Sequence, residues 1–81
     1  MSVHEDVIGV VTASGKPIAF QRSTALVALT RGDEIGVENV RLELDAGGIK
    51  AVDVDGSDLG SHQAFWFAWS QFHPDTEIWQ Q

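Results

Sequence analysis

The side chains best suited to bind a ligand lie near the C-terminal end of the chain. His73 and Asp75 flank Pro74, and Trp66 precedes them by seven and nine residues, about two helical turns or slightly more. An imidazole beside a carboxylate can bind a metal ion, and an indole can line a small-molecule pocket. A lone histidine at a helix end, however, more often interacts with the last carbonyl groups of that helix. We therefore treat His73 and Asp75, near Trp66, as a candidate ligand site and expect no metal or cofactor.

Other patterns in the chain lack the spacing that their chemistry requires. The stretch 9–17 has five residues between its glycines, where a phosphate-binding loop has four, and it lacks the final Ser or Thr. The acidic run 53–58 carries aspartate at its sixth position, where a calcium loop needs glycine. No serine occupies a Gly-x-Ser-x-Gly elbow. The sequence predicts no catalytic residue and favours a protein that is not an enzyme.

Aromatic residues concentrate in the segment 65–72, which holds five of the seven in the chain. Their spacing predicts a helix from Ser61 to Phe72, ended by Pro74. Four residues recur at i, i+3, i+4 and i+7, a pattern typical of the core-facing stripe of a helix. The residues of this stripe are Phe65, Ala68, Trp69 and Phe72.

Phe67 lies opposite that stripe, on the polar face of the predicted helix. One explanation is that the preceding loop or the C-terminal tail covers its ring. Another is that Phe67, with Trp66 or Trp79, forms an exposed patch that contacts a partner protein or a second copy of the chain. A pocket for a small ligand or cofactor is a third explanation. The candidate interaction residues are therefore Phe67, Trp66 and Trp79.

The remaining segments predict the elements that position this helix. Ser23 and Gly32 bracket a helix of about two turns. The tail 75–79 is expected to turn and to add a short edge strand. β-Branched and alternating segments predict four further strands. These strands are 7–11, 17–21, 40–45 and 49–54.

The order of these elements is ββαββα. It predicts an α+β fold in which a mostly antiparallel sheet carries two helices on one face. We expect residues 1–6 to be a flexible N-terminal segment and residues 7–81 to form a single α+β domain, since a second domain would have too few residues to bury a core of its own.

Composition narrows the classes of partner. The chain carries 5 Lys+Arg against 12 Asp+Glu, a net charge of −7, and no cysteine. The basic residues are scattered singly, which argues against binding to nucleic acid or to an anionic membrane. Without cysteine the chain forms no disulfide or iron–sulfur cluster. The acidic N-terminus lacks the features of a secretory signal, so a cytoplasmic location is expected; a domain trimmed from an exported protein would have the same sequence.

Two segments resemble a known family. The opening segment 7–20 contains Val-Ile-Gly-Val followed by a Gly-containing turn and a second strand, and 65–77 has the sequence Phe-Trp-Phe-Ala-Trp-Ser-Gln-Phe-His-Pro-Asp-Thr-Glu. Together they are similar to the domain of unknown function 3179 (DUF3179) family. Its members commonly carry a Cys-Pro-Leu-Cys-like motif and are often exported, whereas this chain has no cysteine. The chain therefore resembles a reduced form of the family, and the resemblance implies a fold without implying an activity.

The sequence as a whole predicts a small non-catalytic module that acts through protein–protein contact or self-association by its aromatic C-terminal helix. The alternative is a small-ligand or metal-binding domain with a site near Trp66, His73 and Asp75.

Overall fold

The computed structural model describes residues 3–46 and 48–79. Within these residues the chain forms seven strands and two short helices. In chain order they are β1 (Asp6–Val11), β2 (Pro17–Gln21), α1 (Arg22–Arg31), β3 (Ile35–Val37), β4 (Val40–Asp45), β5 (Gly48–Val52), β6 (His62–Phe65), α2 (Trp66–Phe72) and β7 (Glu77–Trp79).

The strands form two sheets within the described residues. One has the order β6-β1-β2-β7 and the other the order β3-β4-β5. All neighbouring strands are antiparallel except β2 and β7, which are parallel. The predicted α+β class with two helices and mostly antiparallel strands is confirmed. The predicted order ββαββα is wrong, because β3, β6 and β7 are additional strands and the order is ββαββββαβ.

The main core lies between the four-stranded sheet, α1 and the three-stranded sheet. Alternate residues of β1 and β2 point to the same face, so one face of this hairpin presents the apolar side chains of Ile8, Val10, Ile18 and Phe20 to the core. Phe20 is fully buried there, and its ring lies 5.9 Å from that of Trp79. The buried members of this core are Ile8, Val10, Ile18, Phe20, Ala25, Ala28, Ile35, Val40, Leu42 and Ala51.

A second, smaller core lies on the opposite face of the same sheet. It consists of Val7, Ala19 and Trp69, with Trp66 packed against them. The helices thus cover opposite faces of the four-stranded sheet, and the expectation that both lie on one face is wrong. The reason is the strand periodicity: Val7 and Ala19 alternate with the residues that face α1, and they leave an apolar surface for α2 to cover.

The ends of α1 follow from backbone geometry. Gly32 has a φ of 97°, its N–H donates to the carbonyl of Leu29, and the next N–H donates to that of Ala28. This is the Schellman arrangement that glycine favours, so the predicted stop is confirmed. Ser23 is not the N-cap, because the helix begins at Arg22 and Gln21 occupies the cap position.

The segment before α2 departs most from expectation. The predicted helix Ser61–Phe72 begins only at Trp66, since His62–Phe65 pair with β1 as strand β6. Trp69 of the predicted core stripe is buried, but Phe65 is 47% exposed and Phe72 is 82% exposed. Pairing with β1 holds these residues in an extended conformation and turns Phe65 away from the helix face on which the spacing had placed it.

Candidate functional site

The indole of Trp69 anchors α2 to the sheet and to the turn that follows the helix. Its Nε1–H donates to Oγ1 of Thr76 at 2.9 Å. The ring of His73 lies 4.2 Å from the indole. The turn closes through a hydrogen bond from the backbone N–H of Thr76 to the carbonyl of His73, at 3.0 Å. Trp69 therefore holds the imidazole in place by ring packing and the turn in place by its hydrogen bond to Thr76.

This geometry defines the surroundings of the candidate ligand residues. His73 packs on Trp69, Asp75 is exposed in the turn, and Trp66 packs against the smaller core. No hydrogen bond or ion pair joins His73 to Asp75 in the described part of the chain. Within residues 3–46 and 48–79, no group of three or more His, Asp or Glu side chains is placed to hold a metal ion. These residues are neighbours along a turn and form no enclosed site.

Trp79 lies on the other side of the sheet from α2. It pairs in register with Phe20 and packs into the main core, whereas Trp66 packs into the smaller one. The structure therefore does not bring Trp79 together with Trp66 and Phe67. Trp79 contributes to the core from β7, which is the short edge strand that the sequence predicts for the tail.

Phe67 instead belongs to an exposed cluster with residues that precede β1. The rings of Phe65 and Phe67 stack at 6.4 Å with an interplanar angle of 17°. His4 meets both rings edge-on, at 5.8 Å and 6.2 Å. Val3 lies beside them, because its carbonyl accepts a hydrogen bond from the N–H of Phe67, and its side chain is exposed. We call Val3, His4, Phe65 and Phe67 the aromatic patch.

The backbone of residues 3–5 builds this patch by capping α2. The carbonyl of Glu5 accepts from the N–H of Trp66 at 2.8 Å, and that of Val3 accepts from Phe67 at 3.1 Å. The first N–H groups of a helix have no partner within it, and side-chain caps usually supply one. Here no side chain caps α2, and the extended chain takes that role. It thereby brings His4 to the phenylalanines.

The sequence pattern predicts an exposed Phe67 but gives no indication that Val3, His4 and Phe65 join it at the surface. Residues two positions apart, such as Phe65 and Phe67, do not share a face of one helix. Their spacing predicts a shared surface only when the boundary between a strand and a helix is placed between them. The contribution of residues 3–5 had no local signal, because it depends on pairing across about 60 positions of sequence.

The charge of the chain is separated along its length. Residues 16–50 contain all five basic residues and five acidic ones, so their charges cancel. The remaining residues contain seven acidic residues and no Lys or Arg, and they account for the whole net charge of −7. The elements β1, β6 and α2 come from these acidic segments. The aromatic patch therefore lies among elements without a basic side chain.

A shallow depression of about 330 Å³ also lies between the β3–β4 turn and the loop that follows β5. A second depression, of about 290 Å³, lies along β6 and is lined by Asp6, Gln63, Ala64 and Phe65. The second depression adjoins the aromatic patch through Phe65, which belongs to both.

Comparisons with protein-family models, curated proteins and solved structures gave no match. The resemblance to the domain of unknown function 3179 family therefore stays a prediction. Neither helix among the described residues is long and apolar enough to cross a membrane.

Proposed function

We propose that this protein is a small non-catalytic module that acts by protein–protein contact through the aromatic patch. The observation that carries the proposal is the placement of Phe65 and Phe67, which stack on each other and remain 47% and 41% exposed. Exposed aromatic clusters of this kind are typical of surfaces that bind another protein.

The form of the patch supports this proposal. Its rings are held in place by mutual contacts and by the backbone hydrogen bonds at the start of α2. A surface that is ordered before binding loses less conformational entropy when a partner arrives. Two stacked phenylalanines therefore offer a partner a large apolar contact area at a low ordering cost.

The alternative of a small-ligand or metal site near Trp66, His73 and Asp75 has weaker support. The imidazole of His73 is engaged by Trp69, and Trp66 is engaged by the smaller core. Asp75 is exposed. None of the three contributes to the depressions described above.

Two measurements on matched variants test the proposal. Sedimentation velocity over a micromolar concentration series measures self-association, and selection of a random peptide display library measures recognition of other chains. Phe67→Ser removes a ring of the patch. Phe72→Ser is the control, because Phe72 is 82% exposed on the same helix and makes no ring contact with the residues of the patch.

We expect association, or enrichment of peptides, in the wild type and in Phe72→Ser, and its loss in Phe67→Ser. A chain that stays monomeric at every concentration and enriches no peptide sensitive to Phe67→Ser would overturn the proposal. Equal loss in both variants would also overturn it, because the effect would then follow from removing any exposed ring.

A further inference from the structure

The strand β6 is an edge of the four-stranded sheet. Among residues 3–46 and 48–79 it pairs with β1 and with no other strand. An exposed edge presents backbone N–H and C=O groups that can pair with a strand from another chain. Edge strands are often short or charged, which prevents such pairing. β6 is short, but its sequence His-Gln-Ala-Phe carries no Lys, Arg, Asp or Glu.

The register identifies the backbone groups that face outward. The N–H of Trp66 donates to Glu5, so this pair is of the hydrogen-bonded type. In an antiparallel ladder such pairs alternate with pairs that exchange no hydrogen bonds. Ala64 and His62, opposite Val7 and Gly9, therefore bond to β1. Gln63 directs its N–H and C=O groups away from β1, toward the open edge, and Phe65 directs its N–H there, while the C=O of Phe65, as the N-cap, accepts the first hydrogen bond of α2.

The side chains along this edge combine an apolar group with an acidic one. Phe65 is in register with Asp6, and opposed residues project from the same face of a sheet. Both residues line the depression that lies along β6. No ion pair with a described residue engages Asp6. A strand laid along β6 would thus place its side chains against an exposed ring and within reach of a free carboxylate.

Charge identifies the chemistry of the strand that fits. Residues 1–15 and 51–81, which include β1, β6 and α2, carry seven acidic residues and no basic one, and one of the seven, Asp6, lies in β1 itself. A second copy paired through β6 would bring a second set of these acidic stretches to the edge, and its own β1, β6 and α2 contain no Lys or Arg to pair with Asp6. Like charges brought together across an interface oppose association. A basic segment would instead be attracted to this side of the molecule before contact.

We propose that β6 accepts an extended basic segment of a partner protein as a fifth strand of the four-stranded sheet. Backbone groups of Gln63 and Phe65 pair with the segment, an apolar side chain packs on Phe65, and a Lys or Arg side chain approaches Asp6. This inference rests on the proposed function, because it names the partner of the same surface. Main-chain pairing provides affinity in this mode of recognition, and alternate side chains provide specificity.

The test uses a labelled peptide of sequence Lys-Val-Lys-Phe-Lys-Val-Lys and measures binding to the whole chain by fluorescence anisotropy. One comparison peptide has its alternate backbone nitrogens methylated along one edge, which keeps the charge but removes main-chain donors. A second has Glu in place of Lys. We expect both to bind at least about tenfold more weakly, since each lacks one of the two required features.

Two readouts locate the site. Amide hydrogen exchange of Gln63 and Phe65 is expected to slow when the peptide binds, while that of His62 and Ala64, already bonded to β1, stays unchanged. Asp6→Asn is expected to weaken binding, while Asp45→Asn, at an exposed position of the other sheet, has no effect.

Equal binding of the lysine peptide with and without backbone methylation would overturn the inference, because attraction by charge alone would explain it. Protection of Gln63 and Phe65 that rises with protein concentration without peptide would overturn it in favour of a second copy. Sensitivity of association to Phe67→Ser together with unchanged exchange at Gln63 and Phe65 would overturn this inference alone and leave the proposed function standing.

Discussion

The six-membered ring of Trp69 occupies the space in which a side chain of residue 9 would stand. A Cβ placed on Gly9 would lie 2.2 Å from Cζ3 of Trp69, far inside van der Waals contact. Gly9 is at the middle of β1, where glycine is otherwise disfavoured. Its presence lets α2 approach the sheet closely enough for the indole to close the smaller core. The first prediction tests this relationship.

Gly9→Ala is expected to lower the free energy of unfolding by about 1–3 kcal/mol, because the added methyl group forces the indole out of its position. Urea unfolding monitored by circular dichroism measures the change. Gly36→Ala is the matched control, since the nearest atom to its Cβ is a carbonyl oxygen at 3.8 Å. The two variants losing the same stability would contradict the role given to Trp69.

Thr76→Val is expected to lower the free energy of unfolding by about 1–3 kcal/mol, because it leaves the N–H of the buried Trp69 indole without its acceptor. Thr76→Ser keeps the hydroxyl and should recover most of the loss. Asp75→Ala should change stability by less than about 0.5 kcal/mol, since Asp75 is exposed and its carboxylate makes no hydrogen bond with a described residue. A larger loss for Asp75→Ala than for Thr76→Val would show that the turn depends on the carboxylate instead.

Lys16 links the β1–β2 turn to two other elements. Its Nζ lies 3.2 Å from Glu77 and 3.3 Å from Glu38, and hydrogen bonds to the carboxylates of Glu77 and Glu38 raise the pKa of Lys16 above its ordinary value of 10.5. A raised lysine pKa contributes stability that is fully present below the unfolded pKa and is lost as pH rises through the folded one. The difference in Tm between wild type and Lys16→Met should therefore hold up to about pH 10 and shrink above pH 10.5.

Thermal melts from pH 8 to about pH 11.5 measure this difference. Because Lys16 is solvent-exposed, added salt should reduce the difference at pH 8. Lys50→Met is the control, since Lys50 lies 4.0 Å from Glu43 and should give a smaller difference at pH 8. A Tm difference that grew with pH would contradict the assignment.

Removal of residues 1–5 is expected to lower the free energy of unfolding by about 1–2 kcal/mol, because the N–H groups of Trp66 and Phe67 lose their carbonyl acceptors. The loss also removes Glu5, whose carboxylate accepts from the side-chain amide of Gln21 at 2.7 Å. Val3→Ala keeps the backbone and should be nearly neutral. A truncated chain as stable as the wild type would support the prediction that residues 1–6 form a flexible segment.

Much of the fold could be predicted because its strands and its first helix have strong local signals. The β-branched run at 7–11 and the alternation at 40–45 each specify a strand from their own residues, and Gly32 specifies a helix end. The β3–β4 turn was missed because its two central residues, Glu38 and Asn39, both adopt positive φ without the Asn-Gly sequence that usually marks such a turn.

The candidate site was harder to predict because it depends on pairing between distant segments. The spacing of Phe65 and Phe72 also fits one face of a single helix. Only the pairing of β6 with β1 places Phe65 at a sheet edge. The side of the sheet on which Trp79 lies likewise depends on its register with Phe20, which no local pattern of the tail contains. Burial of individual rings in this protein is decided by strand register rather than by periodicity along the chain.

The pairing of β2 with β7 also has a consequence for the order in which the protein can be made. The central hairpin is synthesised first, and both strands that flank it lie between His62 and Trp79. From Gln21 to Trp79 there are 58 further positions (79 − 21), which take roughly 3–12 s at a translation rate of about 5–20 residues per second. During that interval the nascent hairpin exposes both of its edges and two apolar faces. Binding by a ribosome-associated chaperone is therefore expected to raise the yield of native protein, and a slower translation of the codons for residues 62–79 is expected to lower it.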